Sequence, residues 1–350
     1  MNTPHPRCGR IPPALKRDLR VMLLAKHARS SGAADAVDGN HAIYHHELRT
    51  TLEEIGLDVI PADRFADLRR PEVDFAIPLL NRAGFEHSEM LAPLLLSEQG
   101  VPYLGASPIL RGLSDDKHLL KLVARARGVP TADWVAVRRG AGPLPPPPAR
   151  NGCAPDRSDG RWVVKPNASS ASWGVAVVED WTAARDHADA LAGQGHDVLV
   201  ERWTPLVDVA VPVIGDRSGL PWLLPPMTYL PDDPHVLRSY EEKRGLVEGG
   251  DDPLVLVEDP ALLARLDAMT RTLVAELWPF DYGRFEYRFD PATGDALFME
   301  ANLSCNLWSK KTISRSAASI GIDHASLVET IVAHSLARQR VRADAMVLAA

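Results

Sequence analysis

Residues 282–302 read YGRFEYRFDPATGDALFMEAN, two alternating strand-like runs around the turn residues DPATG. The pattern predicts a β-hairpin with its turn at Asp290–Gly294. Side chains alternate faces along a strand, so Arg284 and Glu286 share one face of the first run. Glu300 and Asn302 share one face of the second, and antiparallel pairing can bring all four to one side of one sheet. Two carboxylates and an amide oxygen suit a hard divalent cation that completes its shell with phosphate and water. An arginine beside them suits negative charge that develops in a transition state. On spacing alone, a solvated, salt-bridged hairpin face is an equal reading.

Two segments nearer the N-terminus extend the pattern. In residues 163–175, VVKPNASSASWGV, a strand delivers Lys165 and a loop of small residues returns through Ser172 and Gly174. Small residues let backbone N–H groups approach phosphate oxygens, and lysine adds a point charge. Alone, this segment is equally a serine-rich surface hairpin. In residues 198–208, VLVERWTPLVD, a buried strand runs into Glu201, Arg202 and Trp203, then Asp208. Polar backbone and an acidic group at such a junction suit an adenine, and by themselves say little more.

The rest of the chain supplies an α/β frame. Leu19–Ala25 is an apolar run of the kind buried on both faces of a parallel sheet, and predicted helices and strands alternate after it as far as residue 104. AKHARSSG, not a glycine-rich fingerprint, follows that first strand, which argues against a dinucleotide site there. Strands at 162–165, 174–178, 198–201, 208–214, 282–289 and 296–300, with helices at 117–127, 181–192, 260–277 and 324–338, make the remainder α+β. A short strand is expected at Pro102–Leu104. Residues 1–17, with several prolines and polar groups, are expected to be a mobile leader. The four consecutive prolines within 141–157 mark a surface insertion inside a domain.

Composition narrows the classes. The 350 residues suffice for about two to three domains. A net charge of -7 argues against a nucleic-acid partner. No apolar run approaches the length of a membrane span, and the N-terminus lacks the apolar core of a secretory signal, so a cytoplasmic protein is expected. Three scattered cysteines form neither a disulfide framework nor a zinc site. Cys305, beside the hairpin motif, has no evident base partner and is expected to pack or line. His41 and His45 share a helical face, where exposed histidines are the ordinary outcome.

The order of the motifs is more specific than any one of them. PYLGASPILRGLSDDKHLLKLVARARGVPTADW, VVKPNASSASWGV, VLVERW…D, YEEK and GRFEYRFD…FMEANLS together resemble the D-alanine–D-alanine ligases of the ATP-grasp superfamily. The likeness spans about residues 70–335. It implies an ATP-grasp fold behind an N-terminal Rossmann-like domain, with units at 18–115, 116–205 and 206–340 and a tail at 341–350. It also implies ATP and two Mg2+ ions, with Mn2+ as a substitute. Lys117 and Lys165 would contact phosphates, Ser172 and Gly174 would line the phosphate loop, and Glu201 would accept from the adenine amino group. Backbone at Arg202 or Trp203 would bond the ring, and Asp208 would take the ribose hydroxyls. Lys243 would reach the γ-phosphate from a mobile loop at 231–250. Glu286, Glu300 and Asn302 would hold the metals, and Arg284 would stabilise the tetrahedral intermediate.

Both amino-acid subsites depart from that family. Its Gly-Gly turn and Ser-x-Glu-His motif are absent near residue 30, and Asn81 replaces a histidine in LLNRAG, with Glu86 following. The phosphate loop carries Ala171 where a bridging serine is expected. SCNLWSKK follows Asn302 in place of Ser-Pro-Gly, introducing Asn306, Lys310 and Lys311, and Arg244 stands where a closing tyrosine is usual. The expected protein keeps acyl-phosphate chemistry and joins other small-molecule amino acids or carboxylates, anionic ones given the added cations, in a secondary-metabolite pathway. The resemblance also makes a homodimer the assembly to test. Ester-forming or ring-closing ligases, and a catalytically silent nucleotide binder, are the competing readings.

Overall fold

The computed structural model describes residues 5–69, 72–80, 86–140, 142, 144–147, 160–169, 172–204, 206–230, 242, 246 and 253–342. The chain opens on a short helix, α1 (Pro13–Asp18), started by proline at its first turn, where a missing N–H costs nothing. The expected mobile leader is corrected here. Ile11 and Leu15 are buried in the main core, the Arg7 guanidinium donates to Asp216, and Arg10 and Lys16 both pair with Glu329. The Ile11 N–H donates to the same carboxylate at 3.0 Å.

Strand β1 (Arg20–Leu24) follows, then α2 (His41–Glu54), β2 (Asp58–Ala62) and β3 (Phe75–Pro78). They form a parallel sheet of order β2-β1-β3. The central strand is buried from Val21 to Leu24, as its unbroken apolar run requires. The strand expected at 102–104 reduces to one bridge between Tyr103 and Ala76. The Pro102 carbonyl and Leu104 N–H face β3, and the Gln339 side chain closes the opposite edge, accepting from the Tyr103 N–H and donating to its carbonyl.

Helices α3 (Leu91–Glu98), α4 (Pro108–Asp115) and α5 (Lys117–Ala126) lead to the second sheet. It comprises β4 (Trp134–Val137), β5 (Trp162–Pro166), β6 (Ala176–Val178) and β7 (Val198–Arg202), with α6 (Trp181–Gly193) packed on it. All its pairings are antiparallel, in the order β4-β7-β5-β6. The proline-rich break falls between β4 and β5, and Leu144 within it is buried in this sheet's core.

The third sheet holds β8 (Val207–Gly215), β9 (Pro221–Leu223), β10 (Met227–Tyr229) and β11 (Leu254–Leu256). After α7 (Pro260–Leu277) come β12 (Tyr282–Phe289) and β13 (Ala296–Asn302), then α8 (Thr312–Ser319) and α9 (His324–Arg338). Its order is β11-β10-β8-β12-β13, with β9 on β8. The N-terminal helix packs against α9 in a core shared with β1 and α2. Among the described residues, no helix is long and apolar enough to cross a membrane.

Deleting residues 1–18 should therefore destabilise the protein, by up to about 3–6 kcal/mol from Ile11 and Leu15 alone. Burial by itself would raise the Glu329 carboxyl. Hydrogen bonds from Lys16, Arg10 and the Ile11 amide instead hold it below the ordinary value. A lowered folded-state value means this clasp is complete above the unfolded-state value and is lost as pH falls through the lowered one. Urea midpoints of full-length and truncated protein should thus draw closer in acid, leaving the part that Ile11 and Leu15 contribute. A constant difference down to that range would count against the clasp.

Candidate active site

The hairpin forms as its sequence requires. Arg284 lies opposite Asn302 and Glu286 opposite Glu300 in the β12–β13 register, so the four side chains share one face. A bulge after Glu286 shifts the pairing beyond this point, which leaves the face intact where it matters. Arg284 Nη2 donates to Glu286 Oε1 at 2.6 Å. The Asn302 Oδ1 accepts the Ser304 N–H at 2.9 Å, which leaves one lone pair of that oxygen for another partner.

Lys117, the first residue of α5, reaches across to this face. Its Nζ lies 3.2 Å from Glu300 Oε2 and donates to the Ser169 carbonyl at 3.1 Å. Asn167 fastens it there: its side chain accepts the His118 N–H and its carbonyl accepts the Lys117 N–H. The phosphate-type loop and the metal-type face are thereby joined through one lysine. Burial would raise Glu300, but Lys117, Lys165 and Arg284 hold it below the ordinary carboxylate value.

At the other end, Glu201 Oε1 meets Lys165 Nζ at 2.9 Å and Lys121 Nζ at 3.2 Å. The Trp203 ring is buried, with the Arg288 guanidinium 4.7 Å from its centre. Arg288 also pairs with Asp208 at 2.9 Å and donates to the carbonyls of Thr204 and Leu206. These groups line one cavity of about 590 Å³ between the second and third sheets and the N-terminal layer. Lys117, Lys165, Ser172, Glu201, Arg202, Trp203, Asp208, Arg284, Glu286, Glu300, Asn302, Asn306 and Lys311 are all on its wall.

Several expectations do not survive the geometry. Gly174 is not on the wall; its φ is +72° and a Cβ there would come within 2.9 Å of the Pro166 ring, so it serves the turn. The Trp203 N–H is already donated to the Arg161 carbonyl, which removes it as a donor to a purine. Glu86 faces away from the cavity, accepting the Asp197 N–H at 2.7 Å beside Arg139. Lys310 stands 5.5 Å from the Trp308 ring centre and is not on the wall. Asn81, Lys243 and Arg244, with nearly all of the 231–250 loop, lie outside the described residues.

Other wall residues escaped sequence reading. Lys121 and Arg288 are two. Lys26, His27, Asp38, His41 and His45 form a third group, from the loop after β1 and from α2. His27 Nε2 is 2.9 Å from Asp38, and Lys26 pairs with the same carboxylate. The His41–His45 spacing signalled this face, but nothing local places it on the cavity. Cys305 is buried on the wall, and burial pushes its thiol up to about 12, so it is no nucleophile at neutral pH.

The wall fits a polar ligand and a divalent cation. Among the described residues, buried atoms without a hydrogen-bond partner include Arg202 Nε, the Trp203 indole Nε1, Arg284 Nε and Ser304 Oγ, all from cavity residues. Buried polar groups are ordinarily satisfied, so their concentration here marks where a ligand completes the structure. The Lys117 ammonium against Glu300 stands in for positive charge on the oxygen face.

No family model matches the chain. It is 25% identical over 291 residues to a D-alanine–D-alanine ligase of Pseudomonas fluorescens, covering 82% of this chain and 84% of that protein. A second such ligase, from Gluconobacter oxydans, is 25% identical over 336 residues, 91% of this chain and 100% of its own length. The uncharacterized protein y4sG of Sinorhizobium fredii is 26% identical over 302 residues, covering 82% and 80%. A solved D-alanine–D-alanine ligase of Bacillus anthracis, in complex with ATP, superposes with a TM-score of 0.69 at 19% identity over 92% of this chain and 99% of that one. The fold is the ATP-grasp fold of these ligases. In sequence and in architecture the chain is similar to D-alanine–D-alanine ligases.

Proposed function

We propose that the protein is an ATP-dependent carboxylate–amine ligase that works through an acyl phosphate and releases ADP and phosphate. The observation that carries the reading is the shared face of Arg284, Glu286, Glu300 and Asn302, tied by Lys117 to the Ser169 loop. A nucleotide binder without catalysis would need the Glu201 end of the cavity and not this oxygen-rich face.

Phosphoryl transfer demands positioning and charge neutralisation more than a protein nucleophile. Lys117 and Lys165 supply that to the phosphates, with Lys243 joining from its loop. Glu201 selects the purine amino group, and Asp208, held by Arg288, takes the ribose. Glu286, Glu300 and Asn302 would hold magnesium, which supplies Lewis-acid neutralisation of the phosphate oxygens when bound. The substrate carboxylate attacks the γ-phosphate, an amine then attacks the acyl carbon, and Arg284 steadies the oxyanion while phosphate leaves. The units at 116–205 and 206–340 would carry the nucleotide and metal halves, with 18–115 closing the substrate end.

The altered subsites favour substrates other than two D-alanines, and Lys311 with Arg244 favours an anionic one, as in a dipeptide or modified amino acid of secondary metabolism. An ADP-release assay with Mg-ATP across single and paired L- and D-amino acids tests this. Release should require two substrates, and Glu300→Gln should cut it by roughly a hundredfold or more, since it removes charge from the face where charge develops. Tight ATP binding with no release for any acid, amine or hydroxyl acceptor would replace the ligase with a silent nucleotide binder.

A further inference from the structure

Lys121 is a buried lysine of the cavity wall that the ligase reading leaves without a task. It lies one helical turn after Lys117 on the same face of α5, 1% exposed. Its ammonium rests 3.2 Å from Glu201 Oε1 and 5.1 Å from the centre of the Trp134 ring. A lysine this deep is rare unless its charge is matched, and Glu201 matches it.

Glu201 is shared, however. Lys165 meets the same oxygen, Oε1, at 2.9 Å. In the ligase reading Lys165 also serves the phosphates, and one ammonium cannot hold its full strength on both. When phosphate draws Lys165 away, Glu201 keeps its ionised form in a buried site only if another cation stays. Lys121 is that cation, and because both lysines engage Oε1, the second carboxylate oxygen is left for the ligand. We propose that Lys121 is a positioning residue for the nucleotide, holding Glu201 ionised and aimed at the purine amino group while Lys165 turns to the phosphates. This rests on the nucleotide half of the proposed function and adds to it a residue that never touches ATP.

The site has a built-in readout. The charged groups facing Lys121 are Glu201 of β7, Lys165 of β5 and Arg125 on its own helix, the last paired with Asp133. Burial is the largest influence and brings the lysine down to about 8, against the pull of Glu201. Above that pH Lys121 loses its proton and Glu201 loses its fixed partner.

The experiment measures direct ATP binding and, separately, KM for ATP and kcat, from pH 6.5 to 9.5, for wild type, Lys121→Met, Lys121→Gln and Lys121→Arg. Wild-type Kd and KM for ATP should rise as pH passes through about 8. Lys121→Met and Lys121→Gln should weaken ATP roughly tenfold or more at neutral pH, with kcat little changed, and the gap to wild type should narrow as pH passes through about 8. Lys121→Arg keeps the charge at all these pH values and should bind at neutral pH while lacking the alkaline rise. ATP binding at neutral pH that is equal in wild type, Lys121→Met and Lys121→Gln overturns the proposal. Lys121→Arg, which keeps the charge, separates this role from a folding defect, since it should bind ATP where Lys121→Gln does not. Failure of wild type to bind ATP at all would instead overturn the nucleotide reading beneath it.

Discussion

Arg284→Met should bind ATP almost as wild type does and release ADP about a hundred- to a thousandfold more slowly, the usual loss for one preorganised donor at a developing oxyanion. The reasoning starts from its neighbours. Arg284 lies between Pro212 of β8 and Asn302 of β13, its fork partly buried, one arm on Glu286 at 2.6 Å. Its Nε is buried without a hydrogen-bond partner among the described residues, so the guanidinium is not saturated by the protein. Burial would lower it, but Glu286 and its surroundings raise it further, and it stays charged throughout. Arg284→Lys should rescue little, because an ammonium cannot hold Glu286 and a second oxygen in one plane. Rapid-quench measurement of ADP formed per enzyme, together with ATP binding, separates the steps. Turnover preserved in Arg284→Met would reduce the residue to a charge partner for Glu286.

That arginine and its three companions were legible because a hairpin with period-two alternation fixes faces without outside help. Arg284, Glu286, Glu300 and Asn302 could be assigned to one face from spacing, and the register bears that out. Distances between segments were not legible. Glu86 and Lys310 sit beside the site in sequence order, yet the Asp197 amide and the Trp308 ring take them elsewhere. Conversely, Lys26, His27 and Asp38 reach the cavity wall only because the N-terminal layer packs over the third sheet. The leader misled for the same reason: Ile11 and Leu15 are too few to signal a helix, and their burial depends on α9, some three hundred residues on. Lys121 was readable as one face with Lys117, but a second lysine on a helix carries no hint of burial until Glu201 arrives from another strand.

What seats that N-terminal layer is Asp281, and Asp281→Ala should cost about 3–5 kcal/mol, the range for removing one side of a buried, hydrogen-bonded ion pair. The carboxylate is fully buried at the start of β12, one residue before the strand that carries Arg284. It accepts the Gly105 N–H at 2.6 Å and the Ser335 hydroxyl at 2.6 Å. It also accepts Nε and Nη2 of Arg338 at 2.8 and 2.9 Å. Its own backbone carbonyl accepts the Gly215 N–H at 2.9 Å, so the residue joins β8, β12, α9 and the segment after β3. Truncation leaves a buried N–H, a hydroxyl and a guanidinium facing a void, and each unmet donor adds its own desolvation cost. Asp281→Asn should recover only part of this, since its amide turns two donors towards groups that are themselves donors. Urea unfolding followed by tryptophan fluorescence measures the loss, and Trp278 lies close enough to report it. A shift under about 1 kcal/mol for Asp281→Ala would mean that water or a rearranged Arg338 replaces the carboxylate, and that packing between β1, α2 and α9 seats the layer without it.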